Sequence, residues 1–394
     1  MTTERKEQVD RTPSMEVSTA GTGRFESLDG LRGVAALVVV IHHCLLVVPE
    51  LASGGPGEGS LLADVLKFSP LHLVWLGTEA VWLFFILSGF VLTLPYLRTR
   101  RLDMASYYPR RLIRIYLPAW AALAFAAVLA LLVTRPDASA GAWMDRHNSQ
   151  PLGETLTDAA LVLGGSTLNT PLWSLQWEVL YSLILPLALL LFGRPSRWWV
   201  ATAGGLLALI VLGALLDVKA LFFMPMFFFG SVLASNWPSI DAAARRLLSG
   251  RRGDAVGWAL LMAAVLLLTL KWTLLPLALP SVLSSAAQGT AIAGIVILFV
   301  LALSWQPAVD LLRRRALRWL GMISFSLYLI HEPIVVAVGV ALGPDLSFLA
   351  IVIALPLSLA AGWAFYRAVE YPSHRLARRV GRAVSDRAAT RSAV

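Results

Sequence analysis

The stretch LDGLRGVAALVVVIHHC, residues 28–44, is an apolar run with ionisable side chains only toward its two ends. Such a run is long enough to cross the hydrocarbon core of a bilayer as one α-helix. Arg32 and His43 are eleven positions apart, so at 100° per residue they return to within about 20° of the same helix face. One stripe of this predicted span therefore carries a guanidinium and, about 16 Å further along the axis, an imidazole.

The composition extends this interpretation to the whole chain. Of the 394 residues, 57% are hydrophobic and 14% charged, and the mean hydropathy is +0.71. These values exclude an ordinary soluble enzyme, a disordered chain and a nucleic-acid binder. The stretch 272–286 is apolar but contains two prolines, so a loop or re-entrant turn is predicted there. We predict an all-α, polytopic integral membrane protein with about ten spans: 30–48, 73–96, 112–134, 172–192, 198–216, 219–237, 255–271, 287–305, 318–342 and 347–368.

The distribution of positive charge tests the number of spans and predicts the orientation. The net charge is +9, and most of the 33 Lys and Arg residues lie in the two tails and in the even-numbered connections. The positive-inside rule then places both termini in the cytoplasm. We predict a disordered cytoplasmic tail over 1–24, a transmembrane domain over 25–375 and a basic cytoplasmic tail over 376–394. High usage of Ala, Leu and Arg is typical of a GC-rich bacterial genome, which indicates a bacterial inner or plasma membrane.

Ionisable residues inside spans are energetically costly and are therefore candidates for function. His43 lies about 8–9 Å and Glu178 about 10 Å below the predicted outer interface, so a carboxylate orienting an imidazole is possible at this depth. Tyr181 shares the face of Glu178 because it is three residues further along. In the competing interpretation, His43 and Glu178 only form structural contacts between helices. For His42 the structural interpretation is favoured.

Further polar positions are less specific. Glu79 begins the second span, while Ser88 precedes a glycine that is equally consistent with close helix packing. His331 lies in mid-span before Pro333, which predicts a kink that either lines a site or only serves packing. Among the arginines that set the topology, three have a spacing that suits a phosphate-rich ligand: Arg110, Arg111 and Arg114.

Several motifs are absent from the sequence. It contains no G-x-x-x-x-G-K-[ST], G-x-G-x-x-G, H-E-x-x-H or G-x-S-x-G. With Cys44 as the single cysteine, neither a disulfide framework nor a cysteine-based metal site is possible, and we predict no metal. These absences remove the support for an ATPase, a dinucleotide enzyme, a zincin and an α/β-hydrolase.

Six ordered blocks resemble the membrane-bound acyltransferase family 3, whose members O-acylate carbohydrates and related hydroxyl compounds. The resemblance covers roughly residues 25–375, and ten spans is the usual number in that family. Glu332 stands where an aromatic residue commonly follows the histidine, and Tyr371 replaces a frequent arginine. The blocks are FESLDGLRG (25–33) with ten residues between Arg32 and His43, FFILSGF (84–90), RRLIRIYLPA (110–119), LWSL (172–175) with Glu178 and Tyr181, ISFSLYLIH (323–331) and RAVEYP (367–372).

The resemblance implies an O-acetyltransferase-like enzyme of the cell envelope. Its donor would be a cytoplasmic acyl-CoA, most often acetyl-CoA, used as a co-substrate with no permanently bound cofactor. Its acceptor would be a hydroxyl of a carbohydrate or glycolipid at or beyond the outer face of the bilayer. His43 would act as general base or as transient acyl carrier, with Arg32 guiding the donor or stabilising charge. Arg110, Arg111 and Arg114 would hold the phosphates of CoA, and the oligomeric state stays open.

A rival interpretation comes from a different class of protein. In a secondary transporter of a small acid or glycan, His43 and Glu178 would form a proton relay. Transporters often contain inverted repeats with broken helices in matching positions, and no such pair is present in this sequence. A passive scaffold would not explain so many ionisable residues inside spans. The sequence therefore favours the acyltransferase.

Overall fold

The computed structural model describes residues 23–133, 142–147, 152–163 and 167–392. Within these ranges the chain is helical and has no strand. Short 3₁₀ segments cover Pro70–Trp75, Thr170–Leu172, Leu275–Leu277 and Pro344–Leu346, and a π-helical turn covers Tyr366–Glu370. The α-helices are α1 (Gly23–Leu45), α2 (Pro49–Ala52), α3 (Leu61–Lys67), α4 (Gly77–Thr99), α5 (Met104–Leu132), α6 (Ala142–Asp145), α7 (Leu152–Ala159), α8 (Trp173–Phe192), α9 (Trp199–Leu215), α10 (Lys219–Leu247), α11 (Gly250–Leu274), α12 (Ser281–Ser304), α13 (Gln306–Leu312), α14 (Arg315–Leu342), α15 (Ser347–Phe365) and α16 (Tyr371–Ser392).

The helices confirm a polytopic all-α membrane protein. Across the described part of the chain, nine helices are long and apolar enough to cross a bilayer: α1, α4, α5, α8, α10, α11, α12, α14 and α15. The predicted fifth span corresponds to α9, which is apolar but only 17 residues long. Each predicted span thus has a helix in the structure, and one of them is shorter than a typical span.

Several predicted boundaries were wrong because apolar runs do not show where a helix continues into polar sequence. Helix α5 begins at Met104, eight residues before the predicted start, because the Asp103 side chain caps it by accepting from the Ser106 amide at 3.2 Å. Helix α12 begins at Ser281, not at 287. The predicted loop over 272–286 therefore shrinks to the short connection between α11 and α12.

The two predicted tails have different outcomes. The expectation of disorder over 1–24 falls almost wholly on residues 1–22, which lie outside the described residues. The basic segment 376–394 is helical up to Ser392 as part of α16, and this helix packs against α5. The Ser385 hydroxyl donates to Asp103, and this bond with the one from Ser106 holds the pKa of Asp103 below its usual value. The C-terminal segment is thus attached to the helical bundle.

Helices α1 and α14 run in parallel and approach closely through glycine. A Cβ on Gly33 would collide with backbone atoms of Gly321, and a Cβ on Gly339 would meet the side chain of Val47. Small residues at such contacts let two membrane helices pack backbone to backbone. Gly33 precedes Val47 just as Gly321 precedes Gly339, so the two segments run in the same direction. The C-terminal part of α1 therefore lies beside the middle of α14. This register brings His43 to His331.

Candidate active site

A large charged cavity lies where the N-terminal halves of α1, α5, α8 and α14 meet the π-helical turn before α16. Its volume is about 810 Å³. Guanidinium groups outnumber carboxylates in its wall, so the cavity suits an anionic ligand. Its arginines and carboxylates are Arg32, Arg111, Arg114, Arg313, Arg315, Arg318, Asp29, Glu178 and Glu370.

Arg111 is held in the wall of this cavity by three side chains. It forms an ion pair with Glu178, donates from Nε to the Ser182 hydroxyl at 2.9 Å, and donates from Nη2 to the Ser88 hydroxyl at 3.3 Å. A guanidinium fixed in this way on three sides is preorganised before any ligand arrives. Glu178 therefore belongs to the wall of the arginine cavity, whereas Ser88 holds Arg111 without lining this cavity.

Arg110 lies outside the cavity, although the sequence grouped it with Arg111 and Arg114. Neighbouring helix positions differ by 100°, and only Arg111 and Arg114 of the three line the cavity. The side chain of Arg110 donates to the Ser106 carbonyl at 3.2 Å and lies against Gly381 of α16. The structure thus assigns Arg110 to the contact between α5 and α16.

A second, mostly apolar cavity of about 190 Å³ adjoins the first one. The two cavities share five residues at their junction: Arg32, Arg111, Arg114, Glu178 and Phe325. From there the second cavity reaches Tyr328 between α4, α8, α10 and α14, and its apolar side chains include Phe84, Phe85, Leu87, Leu92, Leu175, Phe227 and Phe325. Together the cavities form a path that begins polar and becomes apolar.

Beyond Tyr328 lies a cluster of imidazoles around His43. The His331 ring lies 6.1 Å from the Tyr328 ring, and its Nε2 is 3.1 Å from His43 Nδ1. His331 Nδ1 donates to the carbonyls of Leu327 and Tyr328 at 3.0 and 2.9 Å. Since its Nδ1 carries the hydrogen, a neutral His331 accepts at Nε2 from His43 Nδ1.

The carboxylate beside His43 belongs to Glu332. The distance from His43 Nε2 to Glu332 Oε1 is 3.8 Å, and the side chain of Glu332 is fully buried. Thr170 fixes both of its oxygens, since the amide donates to Oε2 at 2.5 Å and the hydroxyl donates to Oε1. His147 Nε2 approaches the same Oε1 to 3.4 Å.

Pro333 explains how Thr170, which precedes α8, is held beside α14. Proline has no N–H, so it leaves the carbonyl four residues earlier in the helix without its usual partner. That carbonyl belongs to Leu329, and the Asn169 side-chain amide donates to it at 2.8 Å. The next residue, Thr170, then meets Glu332. Pro333 thus marks the point at which the segment before α8 docks onto α14.

The structure separates two other predicted residues from these sites. Tyr181 is fully buried, stacks on Phe227 and shares a hydrogen bond of 2.7 Å with the Ser231 hydroxyl, so it serves packing. Glu79 accepts from Trp272 Nε1 at 3.3 Å and lines neither cavity. Tyr181 had been included because it shares a helix face with Glu178, and Glu79 because it begins the span that contains Ser88. In the structure, other helices pack against both residues.

The contact hypothesised between His43 and Glu178 is replaced by another pair. Glu178 pairs with Arg111, whereas His43 lies beside Glu332 and His331. Equal depth in the membrane permitted the first pairing but did not show which helices touch. His42 fits its structural interpretation, because its Nδ1 donates to the Trp75 carbonyl at 2.7 Å.

Sequence reasoning missed several residues that line these sites. Glu332 follows His331 directly and replaces an expected aromatic residue, which was a usable signal. Thr170 and His147 lie in or beside a long connection, and no local pattern predicts their contact with α14. The cavity arginines after α12 had been interpreted only as topology determinants: Arg313, Arg315 and Arg318.

This chain is similar in sequence to known acyltransferases. The profile of a family described as an acyltransferase domain matches residues 25–367. The O-acetyltransferase PaAT-1 of Phomopsis amygdali is 26% identical over 370 residues, which cover 80% of this chain and 73% of that protein. The acyltransferase MdmB of Streptomyces mycarofaciens is 30% identical over 182 residues, which cover 45% of this chain and 43% of that protein. No solved structure matches this chain.

Proposed function

This chain belongs to the membrane-bound acyltransferase family 3, and from this premise we propose that it moves an acyl group from acyl-CoA to a hydroxyl of a carbohydrate or glycoconjugate. It is a multi-pass membrane O-acyltransferase. The observation that carries the finer proposal is the path from an arginine-lined cavity, through an apolar one, to Tyr328 and the imidazoles beyond it.

The polar and apolar parts of this path match the parts of an acyl-CoA donor. CoA combines several phosphates with a long, less polar arm that ends in the thioester. Arg32, Arg111 and Arg114 border both cavities, so they suit the phosphates nearest to the arm. The apolar cavity suits the arm itself, and its lining toward Tyr328 suits the acyl end. We propose that the donor is acetyl-CoA, which binds as a co-substrate, and that the protein has no resident cofactor.

The proposed chemical step uses His43 as general base. Because His43 Nδ1 is within hydrogen-bond distance of the Val39 carbonyl and of His331 Nε2, its hydrogen is on Nδ1, and Nε2 offers the lone pair. Nε2 takes the proton of the acceptor hydroxyl while the hydroxyl oxygen bonds to the thioester carbon. The carbon–sulfur bond then breaks, and the same proton passes to the leaving thiolate. In the alternative route Nε2 first carries the acyl group itself.

The orientation in the membrane follows the charge distribution of the sequence. We propose that the arginine cavity opens to the cytoplasm, where acyl-CoA is available, and that the acceptor approaches His43 from the other side. A bacterial cell membrane with an acceptor in the envelope fits this arrangement.

Transfer of a labelled acetyl group tests the proposal directly. Membranes that contain the protein and labelled acetyl-CoA are expected to incorporate label into envelope glycans or glycolipids, and membranes without the protein are not. Longer acyl-CoAs extend the test to other acyl groups. Absence of transfer with every donor, from folded protein in membranes of its native host, would contradict the proposal and favour the transporter.

Arg114 and Arg110 form a matched pair for testing the donor site. Arg114→Ala is expected to raise the KM for acyl-CoA about tenfold or more, because it removes a guanidinium from the junction of the two cavities. Arg110→Ala removes the same group from the contact with α16 and is expected to change this KM less than about twofold. Initial rates over a range of acyl-CoA concentrations measure both. Equal effects of the two variants would contradict the assignment of Arg114.

A further inference from the structure

Glu332 faces two imidazoles, and the proposed mechanism uses only one of them. His147 follows α6 in the connection between α5 and α8, and its side chain is 1% exposed. Its Nε2 lies 3.4 Å from Glu332 Oε1, while His43 Nε2 lies 3.8 Å from the same oxygen. The Trp143 ring lies 5.9 Å from the His43 ring and 4.8 Å from the His147 ring. A connection remote in sequence thus brings a second titratable group to the site.

The hydrogen bonds define where the protons are. His147 Nδ1 donates to the Trp143 carbonyl at 3.0 Å, just as His43 Nδ1 donates to the Val39 carbonyl at 2.9 Å. In their neutral forms, both imidazoles would therefore carry a lone pair on the Nε2 atom that lies 3.4 or 3.8 Å from Glu332 Oε1. Thr170 donates to both carboxylate oxygens, which favours the ionised form of Glu332. Two lone pairs facing one carboxylate repel it, and one additional proton turns this repulsion into attraction.

We propose that His147 holds this proton and forms an imidazolium–carboxylate pair with Glu332, which keeps His43 available as the base. The inference rests on the proposed function. His147 is the closer of the two imidazoles to Glu332 and the more buried, since the side chain of His43 is 14% exposed. A buried carboxylate and imidazole compensate each other's desolvation best as a pair. His147 acts through Glu332 and is therefore a positioning residue.

This arrangement leaves the balance of the transfer step unchanged. The acceptor's proton passes to His43 Nε2 and then to the thiolate, while the proton on His147 stays in place. Because Glu332 is already paired, it does not trap the newly formed imidazolium of His43. Among the described residues, the other imidazoles beside His43 are those of His331 and His42, and Asp145 and Arg146 precede His147 in the chain. Their charges are the same in the comparison below, which changes only His147 or an uncharged neighbour.

His147→Gln tests the proposal through the pH profile of kcat/KM. Glutamine can still donate a hydrogen bond to Glu332 but carries no charge. The negative charge of Glu332 then stabilises only the protonated form of His43, so His43 loses its proton at a higher pH. We therefore expect the acid limb of kcat/KM to move to higher pH by about one unit. An unchanged position of the acid limb would overturn the proposal, because a purely structural role of His147 lowers kcat/KM equally at every pH.

Met144→Ala is the matched control. Met144 is buried on α6, so this variant weakens the docking of the same helix without changing a charge. We expect lower activity and an unmoved acid limb, and a shift equal to that of His147→Gln would contradict the proposal. Thermal unfolding in detergent confirms that each variant is folded. If the wild-type protein transfers no acyl group at all, the proposed function fails, whereas an active wild type with an unmoved limb in His147→Gln refutes only this inference.

Discussion

Replacing His43 by alanine is expected to lower kcat for acyl transfer by about a thousandfold or more. General base catalysis contributes about 10²–10⁴-fold, and loss of an acyl carrier would cost at least as much. The structure supports this size because His43 is the imidazole whose Nε2 stays available while Nδ1 is bonded to Val39 and His331. Single-turnover transfer of labelled acetyl groups in membranes measures the loss without interference from product release.

A neighbouring imidazole provides the control for His43. His42→Gln removes a partly buried imidazole that donates to the Trp75 carbonyl, so it is expected to reduce stability and keep kcat within about tenfold of the wild type. His43→Gln, which preserves much of the side-chain volume, is expected to be as inactive as His43→Ala. A fully active His43→Ala protein that incorporates label like the wild type would remove the proposed mechanism, whichever route the acyl group takes.

The sequence predicted the first helix and the shared face of its two ionisable residues, Arg32 and His43. The apolar run 28–44 predicted a span, and the spacing of Arg32 and His43 predicted one stripe. In the structure Arg32 lines both cavities, while His43 lines neither and contacts His331, whose ring lies 6.1 Å from that of Tyr328 at the end of the second cavity. Local periodicity was sufficient here because both residues belong to the same helix.

Contacts between helices were beyond the sequence alone. Glu178 and Glu332 are both carboxylates inside predicted spans, and depth cannot decide which one meets His43. The answer comes from the close glycine contacts between α1 and α14, which fix the register of these two helices. The same limit applies to His147, because a connection of this length does not reveal by its sequence where it docks. The positive-inside rule explains the position of the cavity arginines in the sequence, but it does not exclude that the same side chains line a binding site. The sequence alone therefore did not reveal their second role.

The second large effect is expected when the carboxylate of Glu332 is replaced. Glu332→Gln keeps the size of the side chain but removes the charge beside His43 and gives Thr170 one acceptor where it now has two. We expect kcat to fall about a hundredfold, with the KM for acyl-CoA within about threefold, because this residue lies at the imidazoles and lines neither cavity. Steady-state kinetics with varied acyl-CoA separates these two quantities.

Glu178→Gln is the matched variant, and it tests the arrangement against the pairing hypothesised from the sequence. It removes a negative charge next to Arg111 and leaves an amide oxygen that still accepts from the guanidinium. The cavity becomes more positive, so the KM for acyl-CoA is expected to stay the same or fall, and kcat to stay within about tenfold.

The opposite pattern, with kcat lost in Glu178→Gln and kept in Glu332→Gln, would show that Glu178 orients His43. Helix α8 would then have to present Glu178 to α1 during transfer, which would require breaking its ion pair with Arg111. A stable protein with this opposite pattern would therefore refute the imidazole–carboxylate site on α14 and with it the role proposed for Thr170.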